Sequence, residues 1–483
     1  MAARTGAEYI KGLQAQDHEV WLRGERVKDV TTHPGLANGV RAIASLYDQQ
    51  HDPKLRDEMT YVSLTSGERL GLSFIIPRTQ DELQRRGAMM LRWARTTCGM
   101  MGRSPDFMNV TFAAWAAASS YFGRGRPQFA ENIKRYYEYL SENDLTLTHS
   151  LINLQRSRTL TGVFNLQEGT ALQVVRETDA GIVVHGARIL ATLGPLADEI
   201  AVYSPRVARH TETHSPFALN FAIPCSTPGL RFLCRESFDL GRSHFEHPLG
   251  SRFEEMDCVV FFDNVLVPWE RVFLLGDVDL LNGTATTTNS MTHTAHQGAA
   301  KNIAKCEFVL GLALLMTEDP GQRAAAALRG APWRVDALHR ADEGLHARRR
   351  GRRAARRVGR HVSGRAAGRE HAQSLHDRLS RGWWRSCSSS APAASCSRRA
   401  EADFSGPLAS HIEQYLATDT ATARDRVKLF RLAWDVAGSA FGSRQVLYER
   451  FFASDPLTRA RALSAIYPKD ETMERVREFL ADE

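Results

Sequence analysis

The chain has 483 residues, of which 43% are hydrophobic and 24% are charged, a composition typical of globular proteins. This length exceeds one ordinary hydrophobic core, so we expect two or three packed units. The formal charge of +7 is uneven, because residues 321–400 hold 19 of the 62 basic residues and only five acidic ones. That window carries +14 and the remaining chain −7, which argues against nucleic acid as a general partner.

Targeting and metal-binding signals are missing from the sequence. The first residues lack the apolar core of a signal peptide, and the longest apolar run, Val309–Met316, is too short to span a bilayer. The seven cysteines are scattered, odd in number and without metal-site spacing. We therefore expect a cytoplasmic protein with reduced cysteines, no membrane segment and no metal.

Residues 1–148 show helical patterns. Thr79 begins a capping-box sequence that predicts a helix from about Asp81 to Cys98. Further helices are predicted over about 112–122 and 126–142. We interpret this region as an N-terminal helical domain.

Residues 149–285 change to short β-branched runs separated by Gly, Pro and Asp, which favours a small barrel or sandwich. Within it, Asp263 and Asn264 separate two strand-length apolar runs and predict a hairpin. Residues 286–483 return to helical patterns, with an amphipathic helix after Gly298. The order of helices, strands and helices indicates an α+β protein with a middle β-domain and a C-terminal helical domain.

The window 321–400 differs from the rest of the chain, since it is rich in Arg, Ala, Gly, Ser and Trp and lacks Lys, Ile, Phe and Tyr. A disordered basic linker and a nucleic-acid tail are two interpretations of this composition. Our hypothesis is a compensated frameshift in GC-rich DNA. Such a lesion would disrupt helices of the C-terminal domain and leave this chain unstable or inactive.

Several strings together resemble one family of proteins. They are HPLGSRFEEMDCVVFFDNVLVPWERVF at 247–273, GRSPDFMN at 102–109, THSLINLQRSR at 148–158 and GSAFGSRQVLY at 438–448. They are similar to the oxygenase component of two-component flavin monooxygenases of the 4-hydroxyphenylacetate 3-hydroxylase type, over about 1–319 and 401–480. The resemblance implies an acyl-CoA dehydrogenase-like fold: an N-terminal helical domain, a middle β-domain and a C-terminal helical bundle that family members use to form homotetramers.

The resemblance also implies the reaction. FADH₂ from a separate NAD(P)H:flavin reductase and O₂ would hydroxylate a small phenol at its ortho position, giving a catechol. The sequence has no dinucleotide-binding glycine motif, which agrees with a separate reductase. The phenol remains open between 4-hydroxyphenylacetate, a tyrosine derivative and a substituted phenol, as does FAD against FMN.

Alternative functions remain at this point. One is an acyl-CoA dehydrogenase-like flavoenzyme, and another is an inactive frameshifted product. The related 4-hydroxybutyryl-CoA dehydratases need an iron–sulfur cluster held by two cysteines four apart and a His with a Cys seven residues on. Here Gly102 follows Cys98 and Ile303 follows His296 at those spacings, so that branch lacks its ligands.

Substrate and catalytic residues follow from the same strings. Arg103 would stabilise the phenolate, and His149 or His296 would take its proton, with His293 a weaker match. The implied substrate contacts are Arg103, Phe107, His149, Ser204 and Pro205. Phe107 stands where relatives often have a tyrosine, which removes one hydrogen-bond donor. A surface arginine and structural histidines are the simpler alternatives.

Flavin contacts are implied in two places. Those near the β-domain are His149, Ser150, Leu151, Gln155, Arg156, Ser157, Arg158 and Thr192. Those near the C-terminus are Phe441, Gly442, Ser443 and Arg444, whose small residues would allow close approach of the backbone. A turn at Thr192 and helix packing at Gly442 are the alternatives without a flavin.

Overall fold

A computed structural model describes residues 3–153, 170–203, 214–239, 241–318 and 399–451, with six further positions between 473 and 480. The chain divides into two compact units, Met1–Phe308 and Val309–Glu483. The N-terminal helices and the β-strands therefore share one unit. The finer boundaries at 148 and 285 remain predictions.

Helices dominate the beginning of the first unit. They are α1 (Gly6–Gln14), α2 (Ala37–Asp48), α3 (Arg56–Met59), α4 (Gln80–Thr96), α5 (Asp106–Ala117), α6 (Ser119–Phe122) and α7 (Pro127–Asn143). The capping box predicted at Thr79 is confirmed, because the Thr79 hydroxyl accepts from the Glu82 N–H and the Glu82 carboxylate accepts from the Thr79 N–H. It fixes the start of α4.

The end of α4 differs from the prediction. The helix stops at Thr96, because Cys98 and Gly99 adopt φ of +53° and +67°. Arg103 therefore lies in the turn that precedes α5. A Cβ on residue 99 would lie 2.5 Å from the backbone nitrogen of Lys305, so only glycine permits this close approach.

Two sheets form the β-rich part of the unit. Their strands are β1 (Val20–Leu22), β2 (Glu25–Val27), β5 (Leu147–Ser150), β6 (Ile152–Asn153), β7 (Gln173–Thr178), β8 (Gly181–Thr192), β9 (Glu199–Tyr203), β10 (His214–Pro224), β11 (Leu230–Cys234), β12 (Asp257–Pro268) and β13 (Val272–Asp277). Within the described residues, one sheet has the order β2-β1-β11-β12-β8-β6, with β7 also on β8, and the other β13-β10-β9-β5. A separate hairpin joins β3 (Thr60–Val62) and β4 (Arg69–Gly71).

The predicted hairpin at Asp263 and Asn264 is wrong. Strand β12 continues through both residues and pairs with β8 on either side. Phe262 faces Gly186 and Val265 faces Val184, so β12 carries one extra residue, a β-bulge. Asn264 adopts the positive φ of 51° at the bulge. Asparagine is also common in turns because it tolerates positive φ, and for that reason the sequence pattern predicted a turn.

After the strands come α8 (Val278–Thr287) and α9 (Ser290–Glu318). Helix α9 begins eight residues before Gly298, so His296 lies inside it and does not cap its start. In the second unit the described helices are α10 (Ala409–Leu416), α11 (Ala423–Ala437) and α12 (Ala440–Phe451). No helix in the described residues is long and apolar enough to cross a membrane.

Candidate active site

His149 is the centre of a buried aromatic cluster. It lies on β5, opposite Ala201 of β9, and is only 3% exposed. Its ring stacks on Phe107 with centroids 5.2 Å apart and on Tyr203 at 6.0 Å. Both pairs are close to parallel, at 28° and 22°, so the imidazole stacks on both rings.

Arg103 lies on the same cluster. Its guanidinium carbon is 3.9 Å from the centroid of the Phe107 ring, and its backbone N–H donates to the Glu255 carboxylate at 2.7 Å. Burial, and then the Arg103 charge, hold the pKa of His149 well below its ordinary value. His149 is therefore neutral at pH 7, and its Nδ1 atom has no hydrogen-bond partner among the described residues.

Asp106 is a residue that the sequence did not single out. It is 1% exposed at the start of α5 and accepts hydrogen bonds from the Ser104 hydroxyl at 2.6 Å and the Gln297 amide at 3.4 Å. Burial raises its pKa to about 7. The carboxylate thus ties the turn carrying Arg103 to α9. Its position within GRSPDFMN, beside Arg103 and Phe107, could have identified Asp106 as a site residue.

The histidines of α9 differ in their surroundings. His296 is buried, and Gln297 beside it contacts Asp106. His293, one turn earlier, accepts a hydrogen bond at Nδ1 from the Arg86 guanidinium at 2.9 Å, and burial lowers its pKa to about 3. The structure thus places His293 in a pair with Arg86.

Four of the predicted flavin contacts on the β-domain are described, His149, Ser150, Leu151 and Thr192, and they lie on or beside β5, β6 and β8. The Thr192 hydroxyl donates to the Asp257 carboxylate at 2.7 Å, so towards a ligand it can act only as an acceptor. The Leu151 carbonyl, next to Ser150, accepts from Arg188 at 2.9 Å. Burial lowers the pKa of Arg188 to about 9.

Six predicted contacts fall in segments outside the described residues. They are Gln155, Arg156, Ser157, Arg158, Ser204 and Pro205. The window 321–400 is described only at its last two positions. The predictions for these residues stay as they were.

The predicted contacts of the second unit lie on α12. Phe441 is buried, and the Arg444 guanidinium carbon lies 4.9 Å from the centroid of the Tyr448 ring. A Cβ on residue 442 would lie 2.3 Å from the Val436 carbonyl oxygen, so Gly442 permits close packing of α12 on α11. That contact supports the packing role of Gly442. The flavin role of Phe441, Gly442, Ser443 and Arg444 stays a prediction.

The described part of the chain contains no group of three or more His, Cys, Asp or Glu that could hold a metal ion. Its five cysteines, Cys98, Cys225, Cys234, Cys258 and Cys306, are free thiols. Polar atoms near the β5–β6 junction remain for an organic ligand instead. Both His149 Nδ1 and Asn153 Oδ1 are buried without a hydrogen-bond partner within the described ranges.

Helices before and after a two-sheet region form an acyl-CoA dehydrogenase-like fold, and a FAD-bound monooxygenase component has this fold with a TM-score of 0.90 at 42% identity. The fold alone is shared with an archaeal 4-hydroxybutyryl-CoA dehydratase from N. maritimus, at a TM-score of 0.84 and 16% identity over 99% of this chain and 95% of that one.

Closer comparisons identify the family. The family models "4-hydroxyphenylacetate 3-hydroxylase N terminal" and "C terminal" match residues 5–274 and 368–481. The 4-hydroxyphenylacetate 3-monooxygenase oxygenase component of Thermus thermophilus is 42% identical over 99% of this chain and 98% of its own. An oxygenase component of that enzyme, solved with FAD and 4-hydroxyphenylacetate, superposes with a TM-score of 0.89 at 41% identity over 99% of both chains.

This chain belongs to the 4-hydroxyphenylacetate 3-hydroxylase family. It is an oxygenase component of the monooxygenase type, and an acyl-CoA dehydrogenase activity is not favoured. The C-terminal family match begins at residue 368, inside the window 321–400. The similarity therefore returns before Glu401, earlier than the sequence strings indicated.

Proposed function

We propose that this chain uses reduced FAD and O₂ to hydroxylate a phenol ortho to its hydroxyl group, with 4-hydroxyphenylacetate as the first substrate to test. Tyrosine derivatives and other substituted phenols are the alternatives. The observation that carries the proposal is the half-buried Arg103 and the buried, neutral His149, both in contact with the Phe107 ring. A cation beside a neutral imidazole suits a phenol that must ionise.

Arg103 would stabilise the phenolate. A phenol has a pKa near 10, so ionising it at pH 7 costs about 4 kcal/mol. The Arg103 charge already lowers the pKa of His149, and in the same place it favours an anionic oxygen. The burial of Phe107 and His149 strengthens this effect, because these side chains keep water from part of the site.

His149 would accept the phenol proton. The imidazole is neutral and its Nδ1 atom has no partner among the described residues. In the tautomer that carries its proton on Nε2, Nδ1 is therefore available as an acceptor. Its low pKa means that the imidazolium forms only when a phenolate neutralises it. His296 on α9 is the second acceptor to test.

FAD fits the polar atoms at the β5–β6 junction. Asn153 and the acceptor face of Thr192 would bind its polar edge, together with the predicted contacts at 149–151 and 155–158. The contacts predicted at 441–444 are a separate proposal. The reduced flavin supplies the activation of O₂. The surrounding residues hold the phenol in position and keep water out.

A separate NAD(P)H:flavin reductase would deliver FADH₂, and the chain would assemble as a homotetramer in the cytoplasm. Two observations support the separate reductase. The two-component organisation follows from the family, and the sequence lacks a dinucleotide-binding glycine motif.

The test is incorporation of ¹⁸O from ¹⁸O₂ into a panel of phenols. FADH₂ comes from an added flavin reductase, and catalase removes hydrogen peroxide. The panel contains 4-hydroxyphenylacetate, tyrosine and 4-nitrophenol. The chain is run beside a version whose residues 321–400 are restored to the family frame.

We expect a labelled catechol from the restored chain, and from the given chain if its window is compatible with folding. An Arg103→Gln variant of the active version should lose at least about 100-fold in kcat/KM. Absence of labelled product with every phenol and both chains would overturn the proposed function.

A further inference from the structure

We propose that Tyr203 contacts the substrate, and that its hydroxyl donates a hydrogen bond to the phenolate oxygen in place of the hydroxyl that Phe107 lacks. The inference rests on the proposed function and deepens it, because it names a residue that determines specificity at the same site. Neither the family resemblance nor the motif strings single out Tyr203.

Position is the first argument. Tyr203 is the last residue of β9, and its ring stacks on His149, as does that of Phe107. The two aromatic residues therefore contact the same imidazole at similar distances, 5.2 and 6.0 Å between centroids. Of these two rings, only that of Tyr203 carries a hydroxyl.

The hydrogen bonding of this hydroxyl is the second argument. Its partner in the structure is the Met108 sulfur, at 3.9 Å, and a thioether is a weak acceptor. Burial raises the pKa of Tyr203 above its ordinary value, so the hydroxyl keeps its proton and acts as a donor at neutral pH. A partly buried donor with such a weak acceptor gains most when an anionic oxygen arrives.

The third argument is the shared cation. Arg103 lowers the pKa of His149 and opposes the rise in the pKa of Tyr203, so its charge acts on both groups. A phenolate oxygen bound by Arg103 would therefore lie close to both His149 and Tyr203. Arg103, His149 and Tyr203 would surround the phenolate with a cation, a proton acceptor and a neutral donor.

A purely structural role for Tyr203 makes a different prediction. Its ring packs edge-on against Trp115, with centroids 5.1 Å apart, as well as on His149. A Tyr203→Phe substitution keeps both ring contacts and removes only the hydroxyl. A Met108→Leu substitution is the matched control, because it removes the sulfur partner and leaves the hydroxyl.

The experiment measures phenolate binding directly. The full-length protein is titrated with 4-nitrophenol, whose phenolate absorbs visible light, to give the Kd and the pKa of the bound phenol. The variants are Tyr203→Phe, Phe107→Tyr, their combination and Met108→Leu. The ¹⁸O assay on the wild type runs in parallel.

We expect Tyr203→Phe to weaken phenolate binding about tenfold or more and to raise the pKa of the bound phenol. Adding Phe107→Tyr should recover most of the loss, and Met108→Leu should bind like the wild type. Wild-type affinity in Tyr203→Phe, or no saturable binding by the wild type, overturns the inference. Weakened binding in Tyr203→Phe without labelled catechol from the wild type would keep the contact and reject the hydroxylase function.

Discussion

Two histidines of the first unit, the buried His149 and the half-buried His293, each lie beside an arginine but differ in what their Nδ1 atom contacts. Burial, and then the neighbouring Arg103 or Arg86, lowers the pKa of each imidazole. His293 Nδ1 accepts a hydrogen bond from Arg86 at 2.9 Å. His149 Nδ1 has no partner in the part of the chain that the structure describes.

The difference separates a structural pair from a binding site. At His293 the protein supplies the donor, and the pair joins α4 to α9. At His149 a buried acceptor is left open, which costs about 1–3 kcal/mol of stability unless a ligand satisfies it. Such a cost is tolerated where a ligand binds, so identical side chains beside identical cations take different roles.

Replacing His149 should have the largest effect on activity. If activity does not fall, His149 and His293 do not differ in role as described above. His149→Ala is expected to lower kcat/KM for the accepted phenol by about 10²–10⁴, because the proton acceptor is lost. Because His149→Ala also removes a buried ring that packs on Phe107 and Tyr203, kcat/KM is measured per folded molecule. His293→Ala is the matched control, and an equal loss of kcat/KM per folded molecule in that variant would contradict the separation.

Replacing His293 should affect stability instead. His293→Ala leaves the buried Nη2 atom of Arg86 without its acceptor, while Nη1 keeps its hydrogen bond to the Ile75 carbonyl. We expect a loss of about 1–3 kcal/mol in the free energy of unfolding, measured with urea. His293→Asn places an oxygen near the former Nδ1 atom and should recover part of the loss. If both variants unfold like the wild type, the pair contributes nothing to folding.

The pH dependence of stability sharpens the comparison, and its effect per pH unit is the smallest of the three. His293 has a pKa of about 3 when folded against 6.5 ordinarily, so between these values the unfolded chain binds the proton and the folded chain does not. Its contribution is complete above about pH 6.5 and is lost as the pH falls towards 3. His293→Asn should therefore reduce the slope of unfolding free energy in this window by up to about 1.4 kcal/mol per pH unit. An unchanged slope would show that His293 is not the titrating group.

Local sequence signals predicted local structure well. Thr79 with Glu82 fixed the start of α4, because the capping box involves only four neighbouring residues. The hairpin prediction at Asn264 was wrong, since a residue suited to positive φ occurs in turns and in bulges equally. Only the pairing of β12 with β8 on both sides of Asn264 distinguishes a bulge from a turn. The start of α9 was placed too late for lack of a clear capping signal.

Some site residues were predicted from the sequence and others were missed. Arg103, Phe107 and His149 were predicted from motif strings, and the structure brings them together. Tyr203 and Asp106 were missed as site residues, because their contacts join chain segments far apart in sequence. Tyr203 meets His149 only because β5 and β9 pair in parallel, and no local pattern encodes that register.

The bulge in β12 has a consequence for the arrangement of its side chains. Before it the buried residues are even-numbered, Cys258, Val260 and Phe262, and after it they are odd-numbered, Val265 and Val267. Side chains alternate along a strand, so the extra residue resets the parity and lets both halves face the same interior. Loss of Asn264 alone would turn the second half inside out, whereas β12 can gain or lose residues in pairs without reversing its faces.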